Sequence, residues 1–358
     1  MSSSLLRNAS ISALLACLST LAGGTSTARA EAGDNDPRRL VPPDHSAVVV
    51  TERGAPAGGF ALAWPQRTAG YFPFAVTAQP PAGGAKRFRV SIPGTQAGGV
   101  VVASAYDSGV CAVESWSPAR VGPSSFVEIS VAYFPSASSP APASCAISYT
   151  RVFERAGVPA PLAYGFFGFP TVPQQIATAA FGFNSAGANG NADAPKAVRL
   201  APGRYRVEIP KMAAGDISGN VITTPYGAVD RICRPGVLAR GAADALTFEV
   251  RCDETRSRAA TDTAFTMLFT RGSNAAGSRS MFTSGRGGPE GLSYGAGGLP
   301  VSLARSTFTG VTPGTVALMS STKDDSWCWP VYAPPPVPMT TVRCDGSGTG
   351  SYYFLATP

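Results

Sequence analysis

Arg204 to Pro210 reads RYRVEIP, and Arg87 to Pro93 reads RFRVSIP. The two align without a gap, which puts Tyr205, Val207 and Ile209 in phase with Phe88, Val90 and Ile92. Apolar residues at every second position, with charged or polar ones between, mark a strand with one buried face. A decayed third copy, FTGVTP at Phe308 to Pro313, keeps the aromatic-to-proline interval but carries Gly310 where the others have the central valine.

Further matches lie on either side of these strands. A glycine opens a second strand in each copy: GVVVASAY at Gly99 to Tyr106, GNVITTPY at Gly219 to Tyr226, and GTVALMSS at Gly314 to Ser321, with Ser321 at the aromatic position. A cysteine follows each one, at Cys111, Cys233 and Cys328. A penultimate strand then ends in Val250-Arg251-Cys252-Asp253 and Val342-Arg343-Cys344-Asp345, where copy one has Val131-Ala132-Tyr133-Phe134. The copies close on ISYTR (Ile147 to Arg151), MLFTR (Met267 to Arg271) and YYFLATP (Tyr352 to Pro358). Repeats of about 80 to 110 residues are whole small domains and not solenoid turns. Gly 40 and Pro 32 make about a fifth of the chain and supply turns between short strands rich in Val, Thr, Tyr and Phe. The expected fold is all-β: three tandem antiparallel β-sandwich (Ig-like) repeat domains over 60–155, 160–272 and 280–358. Copy two has the fullest motif and is expected to fold alone.

The series of a Gly-x-Tyr-x-Val-x-Pro-like strand, a Gly-x-Val strand with a Tyr, a Cys, a Val-Arg-Cys and a closing Phe-Thr-x-x-Phe-Thr strand resembles uncharacterised repeat domains of secreted proteins from GC-rich bacteria. The resemblance covers Phe74 to Pro358. Copies one and three depart from it at Tyr133, Gly310 and Ser321. It implies an architecture with one disulfide per repeat and carries no activity with it.

The N-terminus predicts export. Arg7, an apolar run from Ile11 to Ala22 and Ala28-Arg29-Ala30 form a signal peptide over 1–30, cleaved near Ala30. Lipid attachment at Cys17 is the weaker alternative, because Leu15 fits a lipobox poorly. Residues 31–59 predict a flexible arm with one short strand at Ala47 to Thr51. No later run has the roughly 18 apolar residues of a spanning helix. Without Cys17, six of the seven cysteines remain, two per copy. In an exported chain this spacing predicts the bridges Cys111–Cys145, Cys233–Cys252 and Cys328–Cys344. Cys145 lies in the last strand of copy one, at the place Phe265 holds in copy two, so its bridge is expected to need the last two strands as neighbours in one sheet.

The net charge is +7, nearly all of it from arginine, with only four lysines: Lys86, Lys196, Lys211 and Lys323. That excess suits an acidic polysaccharide or a cell-surface component. No basic run of the mature chain exceeds two residues, so nucleic acid is not an expected partner.

No catalytic machinery is expected. The single histidine, His45, falls in the arm, which speaks against Ser-His-Asp, Cys-His and zinc-dihistidine chemistry. No cofactor or metal is expected; the loop Phe183 to Pro195 offers one aspartate, Asp193, where calcium needs several carboxylates. A glycoside hydrolase would need two carboxyls facing a cleft. Asp253, Asp345 and Asp324-Asp325 are the candidates for these, and Asp253 and Asp345 read more simply as turn residues after a strand. Trp327 and Trp329 flank Cys328. They offer either an aromatic platform for sugar or partner, or rings packed over the bridge, and strand alternation is expected to set them on opposite faces. The expected function is an exported non-enzymatic binding or structural protein of the cell surface or matrix. A carbohydrate-binding (lectin-like) module is the alternative and a glycoside hydrolase the third reading.

Overall fold

Tyr205, Val207 and Ile209 are fully buried, whereas Arg204, Arg206 and Glu208 are exposed, as the alternation requires. In the computed structural model the backbone is described for residues 45–50, 75–82, 85–93, 99–105, 109–121, 124–135, 145–151, 161–168, 176–187 and 193–271 apart from 216 and 218. Later in the chain it covers 279–283, 291–294, 303–304, 307–309, 316–321, 327–332, 339–345 and 352–357. Beyond residue 271, side chains are described only for 318–320. The expected signal segment and Asp324-Asp325 lie outside these residues.

The described chain is all-β, in six antiparallel sheets. Its first segment holds β1 (His45–Val50), β2 (Ala75–Ala82), β3 (Ala85–Pro93), β4 (Val100–Ala105), β5 (Val110–Val121), β6 (Ser124–Phe134) and β7 (Cys145–Arg151). The second holds β8 (Leu162–Phe167), β9 (Ile176–Thr178), β10 (Ala180–Asn184), β11 (Lys196–Ala201), β12 (Arg204–Ile209), β13 (Asn220–Pro225), β14 (Arg231–Pro235), β15 (Ala239–Arg240), β16 (Leu246–Glu254) and β17 (Phe265–Thr270). The third holds β18 (Arg279–Thr283), β19 (Gly291–Tyr294), β20 (Leu303–Ala304), β21 (Thr307–Thr309), β22 (Val316–Ser321), β23 (Trp327–Tyr332), β24 (Met339–Asp345) and β25 (Tyr352–Thr357).

Each segment has two sheets, and their orders correspond. The terminal sheets run β1-β7-β4, β10-β8-β17-β13 and β19-β18-β25-β22. The middle sheets run β2-β3-β6-β5, β9-β11-β12-β16-β14 with β15 beside β16, and β20-β21-β24-β23. Registers correspond too. Phe88 faces Val131 as Tyr205 faces Val250, and Val100, Asn220 and Val316 face Thr150, Thr270 and Thr357.

The ladders correct the third segment in two places. Phe308 faces Thr340, two residues along β24 from the Val342 that the aligned strands imply. A shift of two keeps every side chain on its face, so the pattern survives it. In β22 the matching position falls one residue later than Gly314 suggests. The short strand of the N-terminal arm runs from His45 to Val50 and pairs with β7 over six residues, so this part of the arm is a sheet member and His45 faces Arg151.

The middle and terminal sheets differ in exposure. β12 alternates buried and exposed residues, while β13 and β17 are buried at all six positions. In the first two segments the strands β4, β7, β13 and β17 of the terminal sheets are therefore covered on both faces. Val101, Ala103, Ile147 and Tyr149 face the core of segment one. Their neighbours Val100, Val102 and Ala146 join the core of segment two, with Leu318 of segment three. The segments thus do not each keep a separate core. A tight turn joins β11 to β12 at Gly203, whose φ of +66° suits glycine, and a Cβ there would stand 2.4 Å from the Cys252 carbonyl oxygen.

Candidate functional site

Val-Arg-Cys-Asp forms the end of β16, and each residue has its own partner. Val250 is fully buried in the core. Cys252 faces Cys233 on the ladder and bonds to it, Cα to Cα 4.1 Å. Arg251 and Asp253 point to the other face, where the Asp253 carboxylate accepts from Arg234 Nη1 at 2.6 Å and from Arg251 Nε at 3.0 Å. Asp253 is 1% exposed, so it is a buried ion-pair partner inside a strand and not a turn residue open to substrate. Asp345 ends β24 at the matching position.

Cys111 bonds to Cys145 as expected, Cα to Cα 6.1 Å, but by another route. β6 and β7 belong to different sheets, so the last two strands are not neighbours, and the bridge crosses from the middle sheet to the terminal sheet. Cys328 faces Cys344 on the β23–β24 ladder, the register of Cys233 and Cys252.

Trp327 and Trp329 lie two residues apart in β23 and therefore on one face of it, which corrects the expectation that they point apart. They hold the ladder positions of Ile232 and Arg234.

Sequence reading missed the aromatic cluster where segments one and two meet. Trp116 of β5 stands edge-on to Phe166, Phe181 and Tyr226, with ring centroids 5.7, 6.1 and 5.6 Å away. Phe166 and Tyr226 are 4.7 Å apart. Tyr226, the tyrosine closing the Gly-opened strand, is held there because Gly227 N–H donates to the Val113 carbonyl at 2.8 Å. Phe181 is 56% exposed, and its φ of +53° lies in the left-handed region that bulky residues avoid. It lies within the register break between Ala180 and Phe183 where β10 pairs with β8. The bulge turns an aromatic ring outward that a regular strand would not present there. Its only advance signal was the run of aromatics and glycines in AYGFFGFP (Ala163 to Pro170) and AFGF (Ala180 to Phe183).

A second missed feature is a polar hub at Asp262. Its carboxylate accepts from Arg199 Nε and Nη2, the Gly203 N–H and the Tyr205 hydroxyl, at 2.8 to 3.1 Å. Arg199 holds the Asp262 carboxyl below its ordinary range, and burial pushes the Tyr205 phenol up to about 12. The hub ties the β11–β12 turn to the loop before β17. Among the described residues, no cluster of three or more His, Cys, Asp or Glu could hold a metal ion, and no helix is long and apolar enough to cross a membrane. No protein-family model matches the chain, and no curated protein or solved structure matches it.

Proposed function

We propose that this chain is an exported, non-enzymatic binding protein of the cell surface or matrix, assembled from three copies of a disulfide-bearing, Ig-like β-sandwich unit. Its ligand rests on the aromatic surface around Phe181. The observation that carries this is Phe181 itself, a large apolar side chain turned to solvent on a left-handed backbone and backed by Trp116. Backbone conformations of this kind cost about 1–3 kcal/mol and persist where the surrounding structure holds them, often at binding sites. Matching strand orders and registers support the copies, and two bridges support an oxidising compartment.

The carbohydrate-binding alternative draws on the same surface, because an outward aromatic face backed by edge-on rings suits stacking against the apolar face of a sugar. A glycan array probed with residues 31–358 and with the Phe181→Ala variant tests both readings. A hit lost in the variant at unchanged melting temperature supports the sugar. Pull-down of a surface component that depends on Phe181 supports the broader reading. Ligand binding indifferent to Phe181→Ala would remove the site.

A further inference from the structure

Among the described residues, β4, β13 and β22 each end their terminal sheet and leave one edge without a ladder partner. When such an edge is buried, its N–H and C=O groups need partners from elsewhere. Here the partners are hydroxyls of the next edge. Thr224 Oγ1 accepts from the Ala103 N–H and donates to the Ala103 carbonyl, both at 2.8 Å. Ser320 Oγ serves Thr223 in the same way, at 3.0 and 3.3 Å. Ser104 Oγ accepts from the Met319 N–H at 3.2 Å, across 215 positions of sequence. In each case the peptide group served belongs to the residue just before that strand's own hydroxyl residue, and so β13 serves β4, β22 serves β13, and β4 serves β22.

The packing follows the same cycle. β4 lies against β8 and β17, β13 against β18 and β25, and β22 against β1 and β7. Two residues before each hydroxyl stand Val102, Ile222 and Leu318, all fully buried and in one apolar cluster.

We infer that the three units close into a ring about a pseudo-threefold axis, so that the chain is an intramolecular trimer and each terminal sheet is an interface built for the next copy of its own unit. The interface is head-to-tail: a hydroxyl and a peptide on one edge engage different partners on the other two. Such an interface forms either a closed ring or an open filament. Three units in one chain satisfy all three edges, which leaves none of them as a template for pairing with other molecules. Copy two alone would expose the whole second face of β13 and β17, contrary to the expectation that it folds by itself.

The test is amide hydrogen exchange on the full chain with Ser104→Ala, Thr224→Val and Ser320→Ala. Each variant should accelerate exchange, by about tenfold or more, at the amide it serves in another unit: Met319, Ala103 and Thr223 respectively. Thr224→Ser, which keeps the hydroxyl, should restore protection at Ala103. Acceleration confined to the mutated unit would overturn the ring. So would a chain-wide loss of protection that Thr224→Ser shares.

Discussion

Asp253→Ala removes the carboxylate on which Arg234 Nη1 and Arg251 Nε converge. The two arginines differ in their recourse. Arg251 has a side chain 37% exposed and can turn to water, whereas that of Arg234 is 2% exposed. A buried charge that loses its counter-ion costs about 3–5 kcal/mol. For a protein stable by roughly 5–15 kcal/mol, that is a large fraction. Urea unfolding with the disulfides intact should register it as a lower midpoint at unchanged slope. Replacing both partners by apolar residues, Arg234→Met with Asp253→Leu, should recover most of the loss, because it removes the buried charge together with its need. Asp345→Ala should cost less, since Trp329 occupies the ladder position that Arg234 holds in the second segment. A loss below about 1 kcal/mol for Asp253→Ala, the value of an ordinary surface pair, would refute the reasoning.

Peptide mapping without reductant should find a third bridge, Cys328–Cys344, alongside the two described; alkylation of either cysteine in the native protein would exclude it. In the chain-entropy picture the Cys111–Cys145 bridge, separated by 34 residues, stabilises by about 4 kcal/mol and Cys233–Cys252, separated by 19, by about 3, so Cys111→Ala should lower the melting temperature somewhat more than Cys233→Ala. The Asp262 carboxyl is held below its ordinary value of 3.8, so its contribution is complete above that pH and is lost as pH falls through the folded value; Asp262→Asn should flatten this acid limb of a stability–pH curve. The Tyr205 phenol is raised from 10 to about 12, so its contribution holds below pH 10 and fades as pH climbs towards 12; Tyr205→Phe should remove that share of the alkaline loss and leave the share of Tyr149, whose phenol burial also raises.

The strands were legible because β12 and β3 carry their pattern on one wet face and one dry face, and period two is unambiguous there. The burial of the terminal sheets was not. Their second face sets Ser104, Ser148, Thr150, Thr224, Thr266 and Thr270 among apolar residues such as Val102 and Ile222, and all of these hydroxyl residues are buried. Small hydroxyl side chains can satisfy a neighbouring edge or face water, and the sequence does not distinguish the two. Asp262 was hidden for another reason: its partners Arg199 and Tyr205 lie some 60 positions away, and only the folded turn at Gly203 brings them together. Phe181 was hidden because one bulge reverses the face that period two would assign it.

The bridges of the first two segments lie at different places in matching ladders. Cys111 faces Tyr133 on its ladder, where Cys233 faces Cys252. Cys145 faces Ala105, where Phe265 faces Pro225. The first segment thus has an aromatic on β6 and a cysteine on β7, and the second has a cysteine on β16 and an aromatic on β17. Tyr133 and Phe265 are both fully buried, so the exchange conserves the apolar filling while the bridge moves from within a sheet to between sheets. Segment one accommodates its tyrosine with Gly109, where a Cβ would stand 2.5 Å from the Tyr133 ring. The reverse exchange in segment one, Tyr133→Cys with Cys145→Phe, should let Cys111 bridge to position 133 and leave the fold intact. A volume-conserving core swap costs less than about 1.5 kcal/mol, and shortening the closed loop from 34 to 22 residues changes the chain-entropy contribution by only about 0.4 kcal/mol. Mass mapping would show the new bridge and thermal unfolding its stability. A double variant that folds with two free thiols would mean that the cysteine and the aromatic are not interchangeable across the core, and that the two units differ by more than this exchange.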